Sequence, residues 1–135
     1  CGVIFHSSTD AALDMRYTGA LELSSPPASY NSYRIVSFSQ SISRGEIALV
    51  EQTNIECSKF GANNGEGCLS HLNFYDSAAL TRTGRYSITP MRVSGLNYTQ
   101  RGLFVFHRND NARVLISRLH LMPNKAQEYL LSVLR

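Results

Sequence analysis

The stretch Leu103-Phe104-Val105-Phe106-His107-Arg108-Asn109-Asp110-Asn111-Ala112-Arg113-Val114-Leu115-Ile116-Ser117-Arg118-Leu119 decides the fold. Two runs rich in β-branched and aromatic residues flank a polar segment in which asparagine and aspartate favour a tight reversal. The pattern predicts an antiparallel hairpin. A turn centred on Asp110-Asn111 would pair Val105 with Ile116 and Phe106 with Leu115.

Outward from this hairpin the dominant period remains two. Met15, Tyr17, Leu21 and Leu23 are interleaved with Arg16, Thr18 and Glu22, as in a half-buried strand. Arg34 to Phe38 and Ile47 to Val50 read as strands joined by a turn at Ser43-Arg44-Gly45-Glu46. Leu69 to Tyr75 and Arg85 to Val93 are further strand candidates, the second carrying Pro90, which suits an edge or a bulge. The end of the chain shows a different period. Ala126, Tyr129, Leu130, Val133 and Leu134 fall at helical spacing behind Asn124, a good N-cap, with Gln127 at the capping-box position. This predicts an amphipathic helix over 124–135 lying on the sheet. The expected fold is mainly antiparallel β, either a small sandwich or an α+β sheet, with that C-terminal helix. Residues 1–12 read as a leader or tether and 13–135 as one domain.

The chain has 135 residues, 43% of them hydrophobic and 17% charged, so it can bury a core without metals or many disulfides. That composition excludes a disordered chain, and no apolar run approaches the roughly 18–20 residues of a membrane-spanning helix. The net charge of +3 conceals an asymmetry. Residues 1–79 balance at −4, whereas residues 80–120 carry seven arginines against Asp110 alone. Arg82, Arg85, Arg92, Arg101, Arg108, Arg113 and Arg118 either pair with the acidic first half or face lipid phosphates, nucleic acid or an acidic partner. Arginine suits structured bidentate contacts in both cases.

Of the three cysteines, Cys57 and Cys68 flank a segment dense in glycine and asparagine that could bring the sulfurs together. A disulfide closing so short a loop stabilises by roughly 2–3 kcal/mol and implies an oxidising compartment. Zinc is disfavoured by the ten-residue spacing and by the lack of a following histidine pair. His6, His71, His107 and His120 are scattered, without a paired spacing or a neighbouring acid in a catalytic motif. No Walker loop, Gly-x-Gly-x-x-Gly or Gly-x-Ser-x-Gly motif occurs. No cofactor and no metal site is expected.

Cys1-Gly2, followed by the polar stretch His6-Ser7-Ser8-Thr9-Asp10, resembles the mature end of a bacterial lipoprotein. The resemblance implies acylation of Cys1 and, with no aspartate at position two, delivery to the outer membrane facing the periplasm. Two or three acyl chains at about 0.8 kcal/mol per buried methylene would anchor the chain almost permanently. Cys1-Gly2-Val3-Ile4 also resembles the start of class II glutamine amidotransferases, whose N-terminal cysteine is the nucleophile, but a counterpart to their substrate-binding arginine segment is missing. Arg101-Gly102-Leu103-Phe104-Val105-Phe106 resembles the aromatic strand of RNA-recognition motifs, with Leu103 where an aromatic belongs. Together the residues point to a non-catalytic, lipid-anchored envelope protein that binds or scaffolds other proteins in a secretion, conjugation or pilus assembly. A soluble secreted binding domain is the nearest alternative.

Overall fold

A computed structural model of the chain describes residues 2–23, 33–53, 70–89, 91–93, 95–121 and 127–135. Among them the fold is antiparallel β throughout. In chain order the strands are β1 (Val3–His6), β2 (Arg16–Ala20), β3 (Tyr33–Ser41), β4 (Glu46–Thr53), β5 (Ser70–Asp76), β6 (Arg82–Ile88), β7 (Met91–Val93), β8 (Leu96–His107), β9 (Arg113–Leu121) and β10 (Gln127–Leu134). They form a β1–β2 hairpin, a four-stranded sheet ordered β3-β4-β5-β6 and a second ordered β10-β9-β8-β7.

The run Ile47-Ala48-Leu49-Val50 explains the layering. All four residues are buried, because β4 has a core on each of its faces. Ala48 and Val50 point at the second sheet and join Leu72, Ile88, Val105 and Leu115 in one cluster. Ile47 and Leu49 point the other way and join Leu21 and Tyr75, with Ile4, Leu23, Ile35 and Leu80 packed against them. The β3–β6 sheet is therefore the middle of three layers, with the β1–β2 hairpin side on one face and the β7–β10 sheet on the other. Val3–His6, within the stretch 1–12 read as a leader or tether, form β1 and pair with β2.

Three expectations are corrected. First, the hairpin of β8 and β9 is one residue out of the expected register: Val105 faces Leu115 and Phe106 faces Val114. The reason is the turn. Asn111 takes a left-handed conformation (φ 62°), the Asn111 N–H donates to Arg108 O at 2.8 Å, and the Arg108 N–H donates to Ala112 O at 2.8 Å. This is a three-residue loop with a bulge residue, so the reversal is centred on Asp110. Second, the strand expected from Arg85 to Val93 is two strands in different sheets, β6 ending at Ile88 and β7 starting at Met91.

Third, the C-terminal helix expected over 124–135 is strand β10, fully in register with β9 from Gln127↔His120 to Leu134↔Arg113. The apolar spacing that suits a helix also suits a strand with apolar residues on both faces. Leu130, Ser132 and Leu134 are half-buried, while Tyr129, Leu131 and Val133 are exposed on the opposite face. The ladder satisfies the backbone, which local helical propensity does not outweigh.

β8 crosses the middle layer, packing on β3, β4, β5 and β6. Gly102 makes that crossing close: a Cβ there would lie 2.7 Å from Ile88 and 2.8 Å from Val50. Its N–H donates to Ser70 Oγ at 3.0 Å, and its carbonyl accepts a hydrogen bond from Gln52 Nε2. Farther along, the N–H groups of Val105 and His107 donate to Ser37 Oγ at 3.2 Å and Ser39 Oγ at 3.1 Å. Serines at every second position of β3 thus replace a backbone ladder where the two sheets meet.

Candidate functional site

Where β3, β4, β8 and β9 converge, a charged network joins the two sheets. Arg113 donates to the Glu46 carboxylate from Nε at 2.6 Å and from Nη2 at 2.5 Å. Its guanidinium also lies 4.3 Å from the centre of the Phe74 ring. The second contact of Glu46 is His107, whose Nε2 is 3.0 Å from Oε1, while Nδ1 is 3.0 Å from Ser39 Oγ. With Nε2–H donating to the carboxylate, Nδ1 accepts the Ser39 hydroxyl proton, and the same hydroxyl oxygen accepts the His107 backbone N–H. Burial pushes the Glu46 carboxyl upward, but hydrogen bonds from Arg113 and His107 and the charges of Arg113 and Arg44 outweigh it and hold the group below its ordinary value.

A second polar group sits on the opposite face of the middle sheet. Asn73 is completely buried, donating from Nδ2 to Glu51 Oε2 at 2.7 Å and accepting from Arg85 Nε at 2.9 Å. Burial, then the neighbouring Arg85 charge, lowers the His71 imidazole below its usual range. Burial, then the charge of Glu51, pushes the Tyr75 phenol up to about 12, and its hydroxyl donates to Glu22 O at 2.8 Å.

The third feature is open. Residues directly opposite across an antiparallel ladder share a face. Phe104, Ile116 and Leu131 therefore form one row across β8, β9 and β10, and Phe106, Val114 and Val133 form the next. This is the face of the second sheet that points away from the core. Phe104 is 51% exposed, Leu131 62% and Tyr129 69%, with Phe104 and Phe106 in contact at 6.0 Å between ring centres. Arg101 and Arg118 face each other at the end of the same side, with Tyr129 opposite Arg118. Among the described residues β10 is the edge of its sheet, so the apolar surface runs to an edge strand.

The arginines expected to meet a partner thus divide. Arg113 is turned inward onto Glu46, and Arg108 pairs with Asp110, a contact that lowers the Asp110 carboxyl. Arg85 is tied to Asn73 and Arg82 is exposed. Arg101 and Arg118 border the apolar face. The side chain of Arg92, and Cys1, Cys57 and Cys68, lie outside what is described. Among the described residues no group of three or more histidine, cysteine or acidic side chains is placed to hold a metal ion. Sequence reasoning missed the Ser39–His107–Glu46–Arg113 network and the exposure of Tyr129, Leu131 and Val133. The first had a signal in the Ser37, Ser39, Ser41 alternation and in the shared parity of Val105 and His107.

No protein family, curated protein or solved structure matches this chain.

Proposed function

We propose that this protein is a non-catalytic binding or scaffolding subunit of a cell-envelope assembly of the secretion, conjugation or pilus type, anchored through an acylated Cys1 to the outer membrane and facing the periplasm. The observation that carries the binding role is the exposed apolar face of Phe104, Leu131, Tyr129 and Val133 beside edge strand β10. Contiguous apolar area of this kind marks an interaction site. The partner it fits is another envelope protein offering an extended segment, which would add to β10 through main-chain hydrogen bonds and lay apolar side chains on Leu131 and Val133. Acidic groups on that segment would complement Arg118.

The Ser39–His107–Glu46 sequence of contacts has the polarity of a hydrolase triad, but three features favour a structural role. The Ser39 hydroxyl already accepts a backbone N–H, Glu46 is committed to Arg113, and the His107 side chain is only 6% exposed. The anchor and a Cys57–Cys68 disulfide are supported by the sequence pattern.

The test is co-purification from envelope extracts of the native host, comparing wild type with Phe104→Glu/Leu131→Glu and with the surface control Ala78→Glu. A stoichiometric envelope partner retained by wild type and control, and lost from the double variant with its circular dichroism unchanged, supports the proposal. Equal recovery of the same proteins by all three overturns it.

A further inference from the structure

At the end of the molecule where the β3–β4 and β8–β9 turns meet, a cleft of about 250 Å³ is lined by Arg44, Asp110, Asn111, Ala112 and Arg135. The two turns are tied across it. Arg44 Nη1 donates to Asn111 O at 2.9 Å, and Ser43 Oγ donates to Asn111 Oδ1 at 2.7 Å. The Asn111 carbonyl therefore fixes one side of the Arg44 guanidinium.

Asp110 is taken by Arg108 through both Nε and Nη2. Glu46 is taken by Nε and Nη2 of Arg113, with Arg44 a looser partner at 3.8 Å. The hydrogen-bonded arginine partner of each acid is thus one that does not line the cleft. Arg135 forms no ion pair among the described residues. Two guanidinium groups, one of them pre-oriented, thus line a space smaller than the ~300–1,000 Å³ that holds a drug-sized ligand.

We infer that this cleft is a binding site for a phosphate-sized dianion held between the guanidinium groups of Arg44 and Arg135. Guanidinium groups bind phosphate oxygens through paired, charge-assisted hydrogen bonds, and two of them match a doubly charged ligand. Asp110 also lines the cleft, its carboxylate held by Arg108. The ligand is either free phosphate or the terminal phosphate of a small molecule. The site is distinct from the apolar face of the β7–β10 sheet and stands or falls independently of it.

The experiment is a titration of the ¹⁵N-labelled protein with inorganic phosphate and, separately, with phenyl phosphate, at constant ionic strength maintained with chloride. The amides of Asn111 and Ala112 should shift saturably. Arg44→Gln and Arg135→Gln should each weaken binding at least fivefold while the rest of the spectrum stays in place. Tighter binding of phenyl phosphate identifies a terminal phosphate as the ligand, and tighter binding of the inorganic ion identifies free phosphate. Shifts that chloride reproduces, or that persist unchanged in both variants, overturn the site.

Discussion

Arg113 and Glu46, separated by 67 positions in sequence, form a two-pronged ion pair that fastens β9 of one sheet to β4 of the other. The pair has little contact with water, the side chains being 16% and 11% exposed. Removing one partner of such a pair strands the other, which costs about 3–5 kcal/mol. Arg113→Met should therefore destabilise toward the lower end of that range, since Glu46 keeps His107 and Arg44 nearby. Urea denaturation checks this, and a loss within ~0.5 kcal/mol would show that the pair does not bind the sheets together.

The same carboxylate gives a pH dependence with a definite sign. The Glu46 carboxyl lies below its ordinary value in the folded chain, so its contribution is complete above the ordinary carboxylate range and is lost as pH falls through the lowered value. His71 acts at higher pH: its folded value is also depressed, so stability begins to fall as pH drops below the usual imidazole value of about 6.5. Melting temperature measured between pH 8 and 3 should decline in two stages. Glu46→Gln should blunt the acidic stage only.

Gly102 has no room for a side chain. Its ideal Cβ position lies 2.7 Å from Ile88 Cδ1, and its N–H and carbonyl are both bonded to side chains of the middle sheet. Gly102→Ala should cost about 1–3 kcal/mol by forcing β8 away from that sheet. Chemical denaturation of the variant reads this directly, with Gly84→Ala as a comparison because its nearest neighbour is farther away, at 3.4 Å.

The hydroxyls of Ser37 and Ser39 leave a signature in hydrogen exchange. Ser37→Ala and Ser39→Ala would each remove the acceptor for one amide, that of Val105 or His107, at about 1–3 kcal/mol. Exchange at that amide should accelerate well beyond the change at its neighbours. Uniform acceleration across β8 would point to general loosening instead.

The strands and their antiparallel pairing were legible because their residues alternate or form short β-branched runs. β4 and the β8–β9 hairpin stand out for this reason. Register was less legible, since a single left-handed residue, Asn111, moves every pair by one. β10 was hidden by its own composition. A strand with apolar residues on both faces carries no period-two signal, and Ala126, Tyr129, Leu130, Val133 and Leu134 happen to satisfy a helical one. The Glu46 network was invisible for a different reason: its members come from four strands, and only the packing of two sheets brings Ser39, Glu46, His107 and Arg113 together. The exposed apolar face follows from the same correction, because Tyr129, Leu131 and Val133 share a side only in a strand.

A photo-reactive amino acid placed at Leu131, in the protein expressed in its native host, tests the proposed interface most directly. Irradiation of intact cells should join position 131 to one defined envelope protein at high yield, while the same group at Ala78, exposed in the β5–β6 turn, should not. Mass spectrometry of the adduct should map the attachment to an extended apolar segment of that partner. Absence of an adduct at position 131, or an equal and diffuse set of adducts from positions 131 and 78, would contradict a partner-binding role for this face.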